Sequence, residues 1–346
     1  MKKRVFNIVG HDILEYNNLK LFSTLGYEVF TPSVYMDPKN PDPTKPYLPN
    51  LDLNVNKEIL DEFLRLNLGG YRYPNKLKIS KSFIDKFDII LVSWIKDVLI
   101  DEEDWKLIKD KLVIYQSLGQ SSKGREYRIA KWRAEKGIKI VRISDKERNF
   151  PLYGGEDAII DLDIDCNYYT GWVGNDSSVL TINSSVFQRS LACNSNQYLE
   201  VVNKFNKKLY GTGNDPSAAS FIKGTASKEE LLAELITCRA FFSLGTKPCP
   251  VVLSFKEAMS TGIPVVTWGP RLGGPTYAAC DYIENGVNGF YSDNLEELKS
   301  YLRLLLNDYE FSKSISINSR KTAIEHFSTE VISKKWESNI KEWLNG

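Results

Sequence analysis

The stretch RVFNIVG, followed by HDILEYNNLKLFSTLG and then YEVFTPS, constrains the fold of this chain more than any other feature. An apolar run of strand length, a helical pattern closing at Gly26 and a second apolar run give strand, helix and strand in series, which implies a parallel sheet. The alternation resumes with FDIILVSW, a helix near DEEDWKLIKDK, the strand LVIYQS, the helix REYRIAKWRAEKG and the strand IKIVRIS. A second series runs from SSVLTIN through the helix NQYLEVVNKFN, KKLYGTG, SFIKG, the helix SKEELLAELITC, RAFFSLG, a helix at Glu257 and IPVVTWG. The last third carries Leu, Ile and Trp at helical spacing.

These patterns predict two similar α/β halves with a helical tail. Between them, PLYGGEDAIIDLDIDCNYYTGWVGND has no helical period and reads as the connection. The 346 residues also exceed what one domain usually holds, roughly 150 being the working size. A first domain is expected over 1–165, a second over 166–325, and a terminal helix over 326–346 packing back towards the first. The Pro-rich stretch TPSVYMDPKNPDPTKPYLPN is too dense in turn residues for regular structure, and long loops of this kind are often functional.

The 45 basic and 44 acidic side chains nearly cancel. That argues against nucleic acid or an anionic membrane as the main partner, while leaving room for a local basic groove. Five cysteines, Cys166, Cys193, Cys238, Cys249 and Cys280, show neither a C-x-x-C pair nor zinc-type spacing to His, as in a reduced, cytoplasmic protein. MKKRVFNIVGHD reads as a first strand, because Asn7, His11 and Asp12 break its apolar run too early for a signal peptide. FDIILVSWIKDVLI is interrupted by Lys96 and Asp97, so no transmembrane helix is expected.

Several strand ends carry residues fit for chemistry. In PVVLSFKEAMSTGIPVV, Glu257 opens a short helix between two apolar runs. Ser254 and Glu257 have the spacing of a capping box, in which the serine accepts from the third helical amide and the glutamate reaches back. The same helix start leaves amides and a positive dipole end at the carboxyl edge of a strand, where α/β sheets bind phosphorylated ligands. Gly211 and Gly213 of KKLYGTGND permit close approach of backbone to a ligand, or a simple turn. VGHDILEY places Gly10, His11 and Asp12 in the loop after the first strand. His11 stands out as a candidate for ligand contact, whereas His326, in a helical segment, reads as packing. YQSLGQSSKGRE puts Gln120 in another such loop, and Trp94, Tyr115 and Tyr127 are candidates for lining a ligand site or for core. DLDID, Asp161 to Asp165, contains a D-x-D of the type that holds a divalent ion and a diphosphate. Its place in the connection favours a solvated strand.

SFKEAMSTGIPVV, YIENGVNGFYSDNLEELKSYLRLLLND and SRKTAIEHFSTEVISKKW follow one another at suitable distances. Over roughly residues 175 to 340, they make the chain resemble the second domain of retaining, nucleotide-sugar-dependent glycosyltransferases of the GT-B fold, the EAM-motif family. The first half resembles that family more loosely. The resemblance implies two Rossmann-like, doubly wound parallel-sheet domains facing a cleft, with a helical C-terminal tail. It further implies that Glu257 holds the ribose hydroxyls, that Arg189 in TINSSVFQRS meets the diphosphate, and that backbone around Ile222 abuts the base. Gly10, Gly211, Val252, Leu253 and Ser254 complete the donor set. A guanidinium offers a fork of donors matched to phosphate oxygens, which suits a departing nucleoside diphosphate when no metal is present.

His11 and Arg189 are then the catalytic candidates, and Asp12, Gln120 and Cys249 the acceptor or sugar contacts. Cys249 stands where the family has another glutamate. By resemblance the reaction is retaining and metal-independent, without a cofactor, from a UDP- or GDP-sugar donor. The acceptor stays open among glycan, lipid, small molecule and modified nucleobase, and no feature reads out an oligomeric state. Two other readings share the fold: a nucleotide-sugar epimerase, and a degenerate, non-catalytic nucleotide-sugar-binding protein, which the replacement at Cys249 keeps in view. An NAD oxidoreductase is disfavoured, because the first loop reads GHDILEY instead of G-x-G-x-x-G.

Overall fold

The computed structural model describes residues 3–10, 12–39, 48–66, 79–93, 99 and 101–345, apart from the side chains of Asp12, Ile13 and Val34. The chain forms two compact units. One comprises Met1–Ile143, Phe150–Ile160 and Ser333–Gly346, the other Ser144–Asn149 and Asp161–Ile332.

The first unit holds strands β1 (Arg4–Val9), β2 (Glu28–Phe30), β3 (Ile89–Ser93), β4 (Leu112–Gln116), β5 (Lys139–Arg142) and β6 (Ala158–Ile159). They lie in the order β2-β1-β3-β4-β5-β6, parallel throughout. The central β3 is buried along its whole length, which is why IILVS reads as a continuous apolar run instead of alternating. The helices Asp12–Thr24, Glu102–Ile108 and Lys123–Lys136 fall where the periodicity puts them. The helix Lys57–Arg65 was not anticipated. Asn56 caps it, accepting from the Ile59 amide at 3.1 Å, and Ile59, Leu60 and Phe63 form its buried stripe. Within the Pro-rich stretch the described residues form two short 3-10 turns, Val34–Met36 and Leu48–Asn50. Phe6, Phe30, Phe83 and Phe87 pack edge-on and tilted at the centre of the core. Tyr115 is core, edge-on to Trp132, and Tyr127 is exposed.

The second unit holds β7 (Asp176–Ile182), β8 (Lys207–Tyr210), β9 (Ile222–Gly224), β10 (Cys238–Ser243), β11 (Val265–Trp268) and β12 (Phe290–Ser292). The order is β12-β11-β10-β7-β8-β9, again parallel throughout. Strand order reverses between β7 and β10 here and between β1 and β3 in the first unit. At such switch points the loops leaving the strand ends diverge and open a crevice for ligand. Three helices, Leu295–Asn307, Tyr309–Phe327 and Thr329–Asn345, close the chain.

The DLDID segment is neither a free D-x-D nor a solvated strand. Asp161 is buried and paired with Lys256, which has no exposed surface and also donates to the Leu162 carbonyl at 2.9 Å. Asp163 accepts from the Thr329 hydroxyl at 2.8 Å, and Asp165 from the amides of Asn167 and Tyr168 at 3.1 and 3.2 Å. A buried lysine needs a compensating charge, and Asp161 supplies it.

Candidate functional site

The loops leaving β7 and β10 are tied together by one side chain. Asn183, nearly buried, donates from Nδ2 to the Gly245 carbonyl at 2.6 Å, and its Oδ1 accepts from the Thr246 hydroxyl at 3.4 Å. Gly211, after β8, has φ +134°, and a Cβ there would sit 2.3 Å from the Asn183 carbonyl oxygen. The glycine is therefore required by the approach of two backbones. Gly213, at φ +81°, has its Cβ position 2.3 Å from the Ser185 side-chain hydroxyl.

Arg189 is exposed just before the short helix Ser190–Cys193, its guanidinium donating to the Ser184 carbonyl and reaching Asn183 Oδ1 at 3.5 Å. A second cation, Lys247, escaped the sequence reading. It lies in the loop after β10, its amide donating to the Ala192 carbonyl at 2.9 Å and its Nζ to Asn194 Oδ1 at 2.7 Å. Burial pushes the Cys193 thiol up while the charges of Arg189 and Lys247 pull it back, so both cations lie close to one point beside the switch. The signal was GTKP, a lysine in a glycine- and proline-bounded turn directly after an apolar strand.

The helix Leu253–Thr261 leaves this same edge. Its N-cap is Val252, which has no side-chain acceptor, so the first-turn amides open without a side-chain cap. Ser254 and Glu257 therefore do not form a capping box. The helix begins at Leu253, which places Ser254 inside the first turn and Glu257 beyond the third position that a box requires. The capping box in this unit is Ser227 with Glu230, both bonds being present.

Released from capping, Glu257 meets Tyr169, whose hydroxyl donates to Oε1 at 2.7 Å. Burial pushes the Glu257 carboxyl above the usual carboxylate range, with the Tyr169 hydrogen bond and the Lys228 charge offsetting part of it. Tyr169 is itself driven up by burial and by the neighbouring carboxylate, so it remains a donor. No local pattern announces Tyr169, which belongs to the stretch read as connection.

Cys249 is buried, its thiol donating to the Val251 carbonyl at 3.4 Å and pushed up to about 12 by burial. It is a neutral, packed thiol. Ile222 is buried in β9. In the first unit, Gly10 follows β1 with its amide on the Ser93 carbonyl at 3.3 Å, and the Gln120 carbonyl accepts from Arg125 in the loop after β4. His11, Trp94 and the side chain of Asp12 lie outside the described residues. His326 packs edge-on against Tyr282 at 5.5 Å.

No protein-family model matches the chain, and no curated protein does. Solved structures do. A glycosyltransferase from Rickettsia africae matches with a TM-score of 0.66 at 14% identity, over 99% of both chains. HepE from Anabaena, in complex with UDP-glucose, matches with a TM-score of 0.68 at 13% identity, over 99% of this chain and 100% of its own. Sucrose-phosphate synthase from Thermosynechococcus elongatus matches with a TM-score of 0.66 at 13% identity over the full length of both. At such identities the likeness is one of fold, and the fold is the GT-B fold of glycosyltransferases, two doubly wound parallel-sheet units in one chain.

Proposed function

We propose that the protein is a glycosyltransferase that takes its sugar from a nucleotide-sugar donor, with UDP-sugars favoured. The observation that carries this reading is Glu257: a part-buried carboxylate, raised in pKa, no helix cap, in the second turn of a helix that starts without a side-chain cap beside the switch point of the second sheet. HepE, which shares the fold, has been solved with UDP-glucose bound.

In this reading Glu257 accepts from the ribose hydroxyls. The first-turn amides of Leu253 and Ser254 face the diphosphate, where a helix N-terminus favours negative charge. Arg189 and Lys247 add the charge that stabilises the departing nucleoside diphosphate as the bond between the anomeric carbon and the phosphate oxygen lengthens. Backbone at Gly211 and Ile222 flanks the base. The acceptor hydroxyl attacks an oxocarbenium-like sugar on the face the diphosphate leaves and gives its proton to the departing diphosphate oxygen, so configuration is retained, and the cations do the work for which other transferases use a metal. Commitment of Asp161 to Lys256 takes one carboxylate of the D-x-D out of reach of a metal. Gly10, His11, Asp12 and Gln120 are assigned to the acceptor or the reacting sugar.

The test is thermal stabilisation by UDP-, GDP-, ADP- and TDP-sugars, with and without EDTA, followed by assay of sugar release and transfer. Stabilisation by one nucleotide family, unchanged by EDTA, is expected; saturation at one hundred times Kd would add about 2.7 kcal/mol. Absence of any stabilisation would contradict the proposal. Stabilisation without release or transfer would favour the non-catalytic binding protein, with Cys249 as its mark.

A further inference from the structure

Glu257 is served by a support built from three separate parts of the second unit. The Tyr169 ring is buried, and its carbonyl accepts both from the Ser260 hydroxyl at 3.0 Å and from Arg320 at 2.8 Å. Arg320, on the helix Tyr309–Phe327, also bonds the carbonyls of Ser260 and Cys166. The backbone of the tyrosine is thus clamped to the far end of the very helix that carries Glu257, while its hydroxyl returns to the carboxylate. Lys228, the first residue of the helix Lys228–Thr237, lies 4.3 Å from the Tyr168 ring centre and 5.5 Å from that of Tyr169. The two rings meet edge-on at 5.0 Å.

From this geometry we infer that Tyr169 is a positioning residue: clamped by Arg320, it holds one oxygen of Glu257, keeps the carboxyl ionised with the help of Lys228, and leaves Oε2 to the ribose. The inference rests on the donor-site reading above. Among the described residues, Tyr169 is the one hydrogen-bond donor to the carboxylate, and it takes Oε1 alone. Ribose hydroxyls donate best to an ionised carboxylate, yet burial favours the protonated form. The charged and titratable groups around it are few. Tyr169 and Lys228 act on Glu257 directly, Glu229 and Glu257 act on Tyr168, and Asp165 acts on Tyr169. On its own helix the adjacent Lys256 is committed to Asp161, and from the closing helices Arg320 points at backbone carbonyls. The first two favour ionisation, and removing either moves the balance one way.

The experiment is the pH profile of UDP-glucose affinity for the full chain, by calorimetry. Both phosphates of this probe are diesters and do not titrate near neutrality. Wild-type affinity is expected to be constant at high pH and to fall as pH drops through the ionisation of Glu257. Tyr169→Phe keeps the buried ring and removes only the hydroxyl. A hydrogen bond to a charged group corresponds to roughly tenfold or more in the ionisation equilibrium, so the midpoint should rise by about one pH unit or more. Affinity is then about tenfold weaker below the midpoint and close to wild type at the alkaline end. Lys228→Met should move the midpoint the same way by less, and Glu257→Gln should bind weakly with no pH dependence. A Tyr169→Phe profile that overlies the wild type, or lies below it by the same factor at every pH, would overturn the positioning role while leaving the donor site intact. A wild-type protein that does not bind UDP-glucose at any pH would overturn the donor-site reading, and the inference with it.

Discussion

At Glu257 stability and binding pull in opposite directions. Because burial raises its pKa in the folded state, the native protein holds this proton more tightly than the unfolded chain does. Its contribution to stability therefore declines as pH rises from the unfolded value, roughly 4.3, through the raised folded value, and stays lost above it. Glu257→Gln removes that penalty while keeping an oxygen for the Tyr169 hydroxyl. Melting curves at pH 5 and pH 8 should show the variant gaining on wild type at the higher pH, while nucleotide-sugar binding is weakened. Gly211 is a residue of the opposite kind, set by sterics alone. Gly211→Ala forces a Cβ into the Asn183 carbonyl at positive φ, and should cost at least about 2 kcal/mol in urea unfolding.

Two S-x-x-E spacings in this chain show what a helix start can and cannot reveal in sequence. Ser227 and Glu230 make a real box, so Ser227→Ala should cost about 1 kcal/mol. Ser254 caps nothing, and Ser254→Ala should stay within about 0.5 kcal/mol in the absence of ligand. Chemical denaturation of the two variants checks both. The spacing is identical; what separates them is where the helix starts, after Ser227 in one and after Val252 in the other, and the partner of Glu257, Tyr169, is 88 positions away and invisible to any local pattern. The Lys256 to Asp161 pair spans 95 positions and is hidden for the same reason, although a lysine in a helix otherwise buried on that face was a hint. Lys256→Met alone should cost about 3–5 kcal/mol by stranding Asp161, with much of that recovered on adding Asp161→Leu. The helix Lys57–Arg65 was legible, since Asn56 followed by Ile59, Leu60 and Phe63 is a capped apolar stripe.

At the scale of the molecule, what could be read from sequence was what repeats. Apolar runs such as IILVS and CRAFFS alternate with helical spacing twice over, and both sheets are parallel as that alternation demands. Strand order, and with it the switch between β7 and β10, depends on which strands pair across long separations, so the site could be reached only through the resemblance of the EAM segment. Carboxylates also set the acid limit of the fold. Burial would raise Glu126, but Arg142, Ser121 and the Gly154 amide hold it below the usual range; Asp176 and Glu234 are likewise held low, against burial, by bonds that include Lys208. The stability these groups give is present above their unfolded values, roughly 4, and is lost as pH falls through the lower folded ones.

The decisive measurement is calorimetric titration of UDP-glucose, in EDTA, into the wild-type protein and Glu257→Ala. A ribose held by an ionised carboxylate predicts wild-type binding that needs no metal and is weaker by about tenfold or more in the variant, the equivalent of a hydrogen bond to a charged group. Equal affinity in the two proteins would mean that Glu257 does not hold the donor.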